Sequence, residues 1–183
     1  MRKTLREQRR SIQRDKKAIY DKTISEKIIN TDYFKKAEQV LVFASTDEEF
    51  DTRYIIERCR LEHKRVFYPR CIDKKGNMEF FKVDSVGDLD VGMMGILEPK
   101  PTCKPYKPTE NDIVIVPALS VDKNHYRIGY GGGYYDKFFE KNASINFKKL
   151  APTPSRPSQP PTRSFLNLGR PTASLIPHPS PRQ

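Results

Sequence analysis

The stretch that decides the fold is residues 112–141, which read DIVIVPALSVDKNHYRIGYGGGYYDKFFEK. Residues 112–117 form an apolar, β-branched run that predicts a strand covered on both faces. Residues 134–141 predict a short helix, and a glycine-rich loop lies directly before it. A strand, a loop and a helix in this order are typical of an α/β domain.

The segments that precede this stretch extend the alternation of strands and helices. Residues 39–44, 65–69 and 78–83 are rich in β-branched and aromatic residues and predict strands, the second of which ends at its proline. Asp51 or Thr52 can cap a helix between the first two of these strands. We therefore expect an α/β fold with three layers, in which helices flank a mostly parallel sheet.

One amphipathic helix is predicted at the start of the chain. Leu5, Ile12 and Ile19 recur every seven residues, and Ile24 and Ile28 continue the same face. Lysine and arginine fill many of the positions between them. The apolar face of this helix is expected to pack against the sheet.

The composition divides the chain into two parts. With 183 residues, of which 36% are hydrophobic, the chain can close one core. Residues 1–150 are predicted to form this domain. Residues 151–183 are rich in proline, serine and arginine, so we expect a disordered or polyproline-like tail.

The cysteine content and the hydropathy indicate a cytoplasmic protein. Cys59, Cys71 and Cys103 are widely spaced and form no metal-binding pair, which favours reduced thiols. No run reaches the roughly 20 apolar residues of a membrane span, and no signal-peptide core is present. We expect a monomer that does not bind membranes.

The net charge of +11 favours a polyanionic partner without identifying it. A nucleic-acid binder is an alternative, because the first helix and the tail are basic. However, the chain has no recognised base-reading motif, and the acids Glu7, Asp15 and Asp21 interrupt the basic residues of the helix. The charge alone does not choose between a nucleic acid, an acidic membrane and a phosphorylated or carboxylate-bearing small molecule, but without a base-reading motif no nucleic acid is expected.

The glycine loop, residues 129–133, has the composition of a phosphate cradle. Its glycines expose successive backbone N–H groups, and a helix that begins at Tyr134 adds its positive end. The spacing matches neither the P-loop nor the dinucleotide fingerprint, and on glycine content alone a flexible turn fits equally well. Arg127 and Lys137 flank the loop, and Asp136 can either balance the helix dipole or hold a magnesium ion.

Residues 116–137 resemble the signature of the 5-formyltetrahydrofolate cyclo-ligase family. Other segments are similar to the family in the same order along the chain, namely residues 3–6, 43–52, 68–70 and 95–99. The resemblance therefore extends over residues 1–151 and is carried by a long, unusual run.

The resemblance implies an ATP-dependent cyclo-ligase. The activity it implies is the closure of 5-formyltetrahydrofolate to 5,10-methenyltetrahydrofolate, with ADP and phosphate released and Mg²⁺ required. ATP would convert the formyl oxygen, a poor leaving group, into phosphate, which leaves readily. The alternative is a catalytically impaired variant that still binds nucleotide or folate.

The resemblance also assigns roles to individual residues. The residues implied for the nucleotide are Lys3, Arg6, Arg127, Gly129, Gly131, Gly132, Gly133, Tyr134 and Lys137. A shift of one residue would replace Lys3 by Arg2, and both stay open. Asp136 would hold Mg²⁺, and Glu49 and Arg127 are the expected catalytic residues.

Substrate binding is implied for Phe43, Glu49 and Tyr135. Phe43 and Tyr135 would pack on the pterin or its linker, and Glu49 would bond its polar edge. From the residues alone, Phe43 is equally typical of a core aromatic that ends a buried strand. Glu49 has acidic neighbours and could instead belong to a solvated loop.

The chain departs from the family pattern at several positions. Ala118, Val121 and His125 stand where the family usually has glycine, phenylalanine and glycine. After the glycine-loop helix the family continues into a further strand and another acid near the magnesium ion. Residues 151–183 contain no Asp or Glu, so we expect the family's last strand and this second carboxylate to be missing.

Overall fold

The computed structural model describes residues 1–153 apart from residues 94, 110, 123 and 125. The helices in this part of the chain are α1 (Arg2–Arg10), α2 (Arg14–Ile29), α3 (Asp32–Lys36), α4 (Arg53–Leu61) and α5 (Tyr134–Lys141). The strands are β1 (Gln39–Leu41), β2 (Arg65–Cys71), β3 (Met78–Lys82), β4 (Leu89–Val91), β5 (Leu97–Pro99), β6 (Ile113–Ile115), β7 (Ser120–Val121), β8 (Arg127–Ile128) and β9 (Lys148–Leu150).

The main sheet has the strand order β3-β2-β1-β6-β9. β1 pairs in parallel with β2 and with β6, and β9 pairs in parallel with β6. β3 runs antiparallel to β2 at the opposite edge. Two short antiparallel ladders, β4 with β5 and β7 with β8, lie outside this sheet. The predicted, mostly parallel sheet is confirmed.

Alternate residues of the central strands bury opposite faces of the sheet. Val40 and Ile113 join a cluster that also contains residues of α2, α3 and α4. Leu41 and Val114 join a second cluster around Phe138 and the rest of α5. Because side chains alternate across a strand, each apolar run feeds both clusters. Helices thus cover both faces, which confirms the three-layer arrangement.

The predicted first helix is divided in two. α1 ends at Arg10 and α2 begins at Arg14, and none of the nine α1 residues, all of which the structure describes, is buried. Ile19, expected on the apolar face, is 63% exposed. The prediction of one continuous helix is wrong because polar contacts orient α1. Among these, Arg9 Nη2 donates to the carbonyl of Ala118 at 2.6 Å.

β2 continues through Pro69 to Cys71, so the predicted end at the proline is also wrong. Its pairing with β1 stops at Phe67, whereas its pairing with β3 extends to Cys71. Beyond Phe67 the strand therefore has a neighbour on one side only. Proline is tolerated there because no second ladder needs its missing N–H group.

A strand follows the glycine-loop helix, contrary to the expectation that it would be missing. β9 pairs Leu150 with Ile115 of β6, and the N–H of Val116 donates to the Leu150 carbonyl at 2.7 Å. The predicted boundary at residue 150 stays a prediction. Most of the predicted tail, residues 154–183, lies outside the described residues.

No helix in the described part of the chain is long and apolar enough to cross a bilayer. The cytoplasmic location and the monomeric state stay predictions from the sequence.

Candidate active site

A cavity of about 810 Å³ lies at the carboxyl ends of β1, β2 and β6. Its walls come from α1, from the loops that follow β1 and β6, from the glycine loop and from β5. Ligands bind at this edge in open α/β sheets, because the loops that leave the strands converge there. The cavity is therefore the candidate active site.

The glycine loop forms one wall and leads into α5. Gly131 and Gly133 have φ values of +109° and +70°, a region that residues with a side chain rarely adopt. Gly133 is the residue directly before the first turn of α5. The backbone N–H groups at the start of α5 thus belong to the same wall as the loop, as a phosphate cradle requires.

Arg127 is anchored beneath this loop. Its Nη1 donates to the Pro117 carbonyl at 3.0 Å, and its Nη2 donates to Asp136 Oδ1 at 2.5 Å. The guanidinium lies 5.9 Å from the centre of the Tyr135 ring. The Arg127 side chain is only 9% exposed, whereas that of Asp136 is 75% exposed. The cation is therefore held in place, and the carboxylate stays open to solvent.

α1 contributes arginines to the wall beside the glycine loop. Arg2, Arg6 and Arg10 recur every four residues and all line the cavity. Arg6 Nη2 donates to the carbonyl of Tyr130 at 3.1 Å, and its buried Nε has no partner among the described residues. Arg10 pairs with Glu48 at 2.6 Å. These cations and the loop amides can therefore bind the same anion.

The loop after β1 contributes Phe43 and Glu49. Phe43 is buried and lines the cavity, and it also belongs to the hydrophobic core, so its role toward a substrate stays a prediction. Glu49 Oε2 accepts hydrogen bonds from the N–H and the hydroxyl of Thr46, each at 3.0 Å. One carboxylate oxygen of Glu49 is thus engaged within its own loop.

Tyr135 is a buried aromatic residue of the cavity wall whose hydroxyl has no partner among the described residues. Burial, with a contribution from the Glu49 charge, raises the pKa of the Tyr135 hydroxyl far above its usual range. Burial likewise raises the pKa of Tyr130 to about 12. Both side chains therefore act as neutral hydroxyls at neutral pH.

A family model described as the 5-formyltetrahydrofolate cyclo-ligase family matches residues 1–153. The chain belongs to this family. The resemblance read from residues 116–137 is thereby confirmed.

Named relatives of this cyclo-ligase family member include a plant and a bacterial protein. The mitochondrial 5-formyltetrahydrofolate cyclo-ligase of Arabidopsis thaliana is 27% identical over 157 residues, which cover 77% of this chain and 56% of that protein. The 5-formyltetrahydrofolate cyclo-ligase of Escherichia coli K12 is 34% identical over 103 residues, or 55% of this chain and 57% of that protein. The chain thus spans a little more than half the length of these relatives.

A solved structure shares the fold of this family member. The NMR structure of Aquifex aeolicus 5,10-methenyltetrahydrofolate synthetase superposes with a TM-score of 0.71 at 24% sequence identity. The match covers 84% of this chain and 76% of that one. At this identity the likeness establishes the fold alone.

The cyclo-ligase cavity brings together most of the residues predicted for it. The predicted residues that line it are Arg6, Phe43, Glu49, Arg127, Gly129, Gly131, Gly132, Gly133, Tyr134, Tyr135 and Asp136. They come from three separate parts of the sequence, namely α1, the loop after β1, and residues 127–136. Their roles stay predictions, but their proximity is a property of the structure.

Two residues predicted for the nucleotide, Lys3 and Lys137, do not line the cavity. Arg2, by contrast, does line it. The choice between Lys3 and Arg2 for the nucleotide stays a prediction. Lys137 Nζ instead donates to the backbone carbonyl of Lys75 in the β2–β3 turn.

Wall residues that were not predicted include Arg10, Cys71 and Glu98, and Arg2 had stayed open beside Lys3. The four-residue spacing of the α1 arginines was a signal for Arg2 and Arg10. Glu98 lies within residues 95–99, which resemble the family, but nothing in that segment indicated that the β4–β5 hairpin brings it to the cavity.

The departures from the family pattern are accommodated where the structure describes them. Ala118 is buried, and its carbonyl accepts from Arg9. Val121 is half-buried and pairs with Arg127 in the β7–β8 ladder. His125 lies outside the described residues.

The cyclo-ligase cavity has a donor set suited to Mg²⁺ only in combination with phosphates. No group of three or more His, Cys, Asp or Glu side chains able to hold a metal ion occurs within the described part of the chain. Asp136 offers one largely exposed carboxylate at the end of the glycine loop. Mg²⁺ is commonly held by one or two carboxylates together with substrate phosphates and water, and this site fits that mode.

Proposed function

We propose that this chain catalyses the ATP- and Mg²⁺-dependent conversion of 5-formyltetrahydrofolate to 5,10-methenyltetrahydrofolate, with release of ADP and phosphate. The observation that carries the proposal is that one cavity is lined both by a glycine loop with arginines and by aromatic side chains with carboxylates. Such a cavity suits two different ligands that must react with each other. Membership of the cyclo-ligase family supports the same activity.

The amides of the glycine loop would bind the phosphates of ATP. Arg127 and Arg6 would neutralise their charge, and Arg2 would take the role first considered for Lys3. Arg127 suits this role because the Pro117 carbonyl and Asp136 already hold its guanidinium. A cation that is fixed before the reaction stabilises developing phosphate charge without reorganisation.

Phe43 and Tyr135 would pack on the pterin, and Glu49 would accept a hydrogen bond from one of the pterin N–H groups. Phe43 and Tyr135 are buried side chains of the cavity wall. Glu49 has one oxygen that Thr46 does not engage. An apolar slot with a few fixed polar groups gives both affinity and orientation.

The proposed reaction takes place where the two ligands meet in the cavity. The formyl oxygen attacks the γ-phosphorus of ATP, and ADP leaves. N10 then attacks the formyl carbon, N10 loses its proton, and phosphate leaves with the original formyl oxygen. Positioning and electrostatic stabilisation supply most of the catalysis in phosphoryl transfer, and Arg127 and the loop amides can supply both.

Asp136 would hold the magnesium ion together with the nucleotide. When bound, the ion would offset the negative charge of the phosphates. Asp136 now neutralises Arg127, so its release toward a metal ion would leave the guanidinium available to the phosphates.

The test is to incubate the full chain with 5-formyltetrahydrofolate, ATP and Mg²⁺ and to follow the absorbance of the methenyl product. We expect magnesium-dependent turnover in the wild type. Asp136→Asn should lower the turnover by roughly 100-fold or more, because metal positioning contributes several kcal/mol. Glu140→Gln, an exposed change one turn further along α5, is the matched control. Equal turnover in the two variants would contradict the role of Asp136.

A catalytically impaired nucleotide- or folate-binding variant is the second candidate. The observation that favours it is the absence of a multi-acid metal cluster among the residues that the structure describes. The same assay separates the two candidates. No turnover, together with nucleotide binding that calorimetry still detects, would support the impaired variant.

A further inference from the structure

Glu98 is a buried carboxylate in the wall of the cavity. It lies in the middle of β5 and is 9% exposed. Its neighbours in the wall include Ile96, Leu97 and Cys71. A buried carboxylate costs free energy unless hydrogen bonds or a cation compensate it. Its partners therefore indicate what the cavity is built to receive.

The compensation of Glu98 within the protein is weak. None of the ion pairs of the described residues involves Glu98. Burial, together with the nearby Glu98 carboxylate, raises the pKa of the Cys71 thiol to about 11. A thiol is a weak donor. Most of the acceptor capacity of Glu98 is therefore available to a ligand.

The hairpin backbone holds this carboxylate in position. A Cβ at Gly92 would come within 2.2 Å of Glu98 Cδ and 2.3 Å of its Oε2. The Glu98 side chain thus packs against the backbone at the end of β4, in the space that the missing side chain of Gly92 leaves. A packed carboxylate loses little conformational freedom when it binds a ligand.

Glu98 and Glu49 differ in the number of carboxylate oxygens that are available to a ligand. Glu49 uses Oε2 for two hydrogen bonds from Thr46, which leaves its other oxygen. Glu98 has neither a backbone donor nor a cation on its oxygens in the described part of the chain. A pair of adjacent N–H donors requires two oxygens in one plane, and Glu98 meets this requirement better.

We propose that Glu98 accepts the adjacent 2-amino and N3–H donors of the pterin ring and so positions 5-formyltetrahydrofolate in the cavity. This inference rests on the proposed function. Glu49 then takes a single further N–H group of the same ring system through its free oxygen. A site with buried acceptors strongly rejects a ligand that lacks the matching donors, because the acceptors stay unpaired.

The first experiment measures 5-formyltetrahydrofolate binding to Glu98→Gln by calorimetry with the full chain. The glutamine keeps the shape but replaces one acceptor by a donor. We expect binding to weaken roughly 10- to 100-fold, the range for hydrogen bonds to a charged group, and ATP affinity to stay the same. Asp90→Asn is the matched control, because Asp90 lies opposite Glu98 in the β4–β5 register but outside the cavity wall. It should bind the folate as the wild type does.

The second experiment uses the 2-desamino-2-methyl analogue of 5-formyltetrahydrofolate, which lacks the 2-amino donors. Wild type should bind the analogue at least about tenfold more weakly than the parent compound, and Glu98→Gln should discriminate much less. A purely structural role of Glu98 would weaken the binding of both compounds equally. The wild-type comparison needs no variant and remains decisive if Glu98→Gln does not fold.

The outcomes separate this inference from the proposed function. Unchanged parent binding in Glu98→Gln, or an unchanged preference for the parent over the analogue, would overturn the role of Glu98 alone. Wild type that discriminates between the compounds by less than about twofold would do the same. Failure of the wild type to bind 5-formyltetrahydrofolate would overturn both proposals.

Discussion

At Gly129 the missing side chain matters because of a neighbour and not because of the backbone angle. A Cβ at this position would come within 2.6 Å of Arg127 Nη1. That nitrogen donates to the Pro117 carbonyl, so it cannot move aside without losing a hydrogen bond. Gly129 therefore protects the position of the guanidinium.

Gly129→Ala should displace the Arg127 guanidinium and weaken ATP binding by about tenfold, the equivalent of one charge-assisted hydrogen bond. The measurement is calorimetric titration with ATP and Mg²⁺, accompanied by thermal unfolding. Gly87→Ala is the control, because a Cβ there meets only Ser85 Oγ at 3.4 Å. Equal ATP affinity in the two variants would show that Arg127 tolerates the methyl group.

At the scale of elements, α1 is attached to the domain by its arginines. None of its residues, all within the described part, is buried, yet Arg6 and Arg9 donate to the carbonyls of Tyr130 and Ala118. Most helices are held by an apolar face, so this attachment is unusual. The orientation of α1 then decides which of its basic residues line the cavity.

The lining of the cavity predicts different effects for two neighbouring residues of α1. Arg2→Ala should weaken ATP binding by about tenfold, because Arg2 lines the cavity and a cation-to-phosphate contact is lost. Lys3→Ala, which removes the same charge from a side chain that does not line the cavity, should change ATP binding by less than about twofold. Titration calorimetry at constant ionic strength measures both. A larger loss for Lys3→Ala would restore the residue first predicted from the sequence.

At the scale of the whole molecule, the buried side chain of Lys149 lowers the free energy of unfolding. Lys149 of β9 is 3% exposed, and its ammonium lies 4.2 Å from the centre of the Phe139 ring. Burial lowers the pKa of Lys149 from its usual 10.5, and the aromatic ring compensates the charge only in part. The folded state therefore binds fewer protons than the unfolded state over a pH range just below 10.5.

Because the unfolded state binds more protons in that range, the free energy of unfolding should rise as the pH approaches 10.5. Lys149→Met removes the buried charge, so we expect its Tm at pH 7.5 to exceed that of the wild type by roughly 2–4 °C. The difference should shrink as the pH rises from 7.5 to 10. Thermal unfolding followed by circular dichroism at several pH values measures it. A difference that stays constant over this pH range would contradict the assignment to Lys149.

Features that depend on a short piece of chain could be predicted from the sequence. The β-branched run before Pro117 and the helix from Tyr134 to Lys141 have the predicted type, because periodicity and caps are local. The break between α1 and α2 was missed, because it depends on contacts between Arg9 and residues more than a hundred positions away. Pro69 was misjudged because strand pairing on each side was unknown.

By itself, the sequence determined the α/β class and, through the resemblance of residues 116–137, the family, and it predicts phosphate binding at the glycine loop. The class follows from hydrophobic periodicity, which acts over a few residues. Only the tertiary structure decided that Arg2 rather than Lys3 lines the cavity and that Glu98 lies in its wall. Helix rotation and hairpin packing arise from long-range contacts, and no local pattern of residues encodes where those contacts direct a side chain.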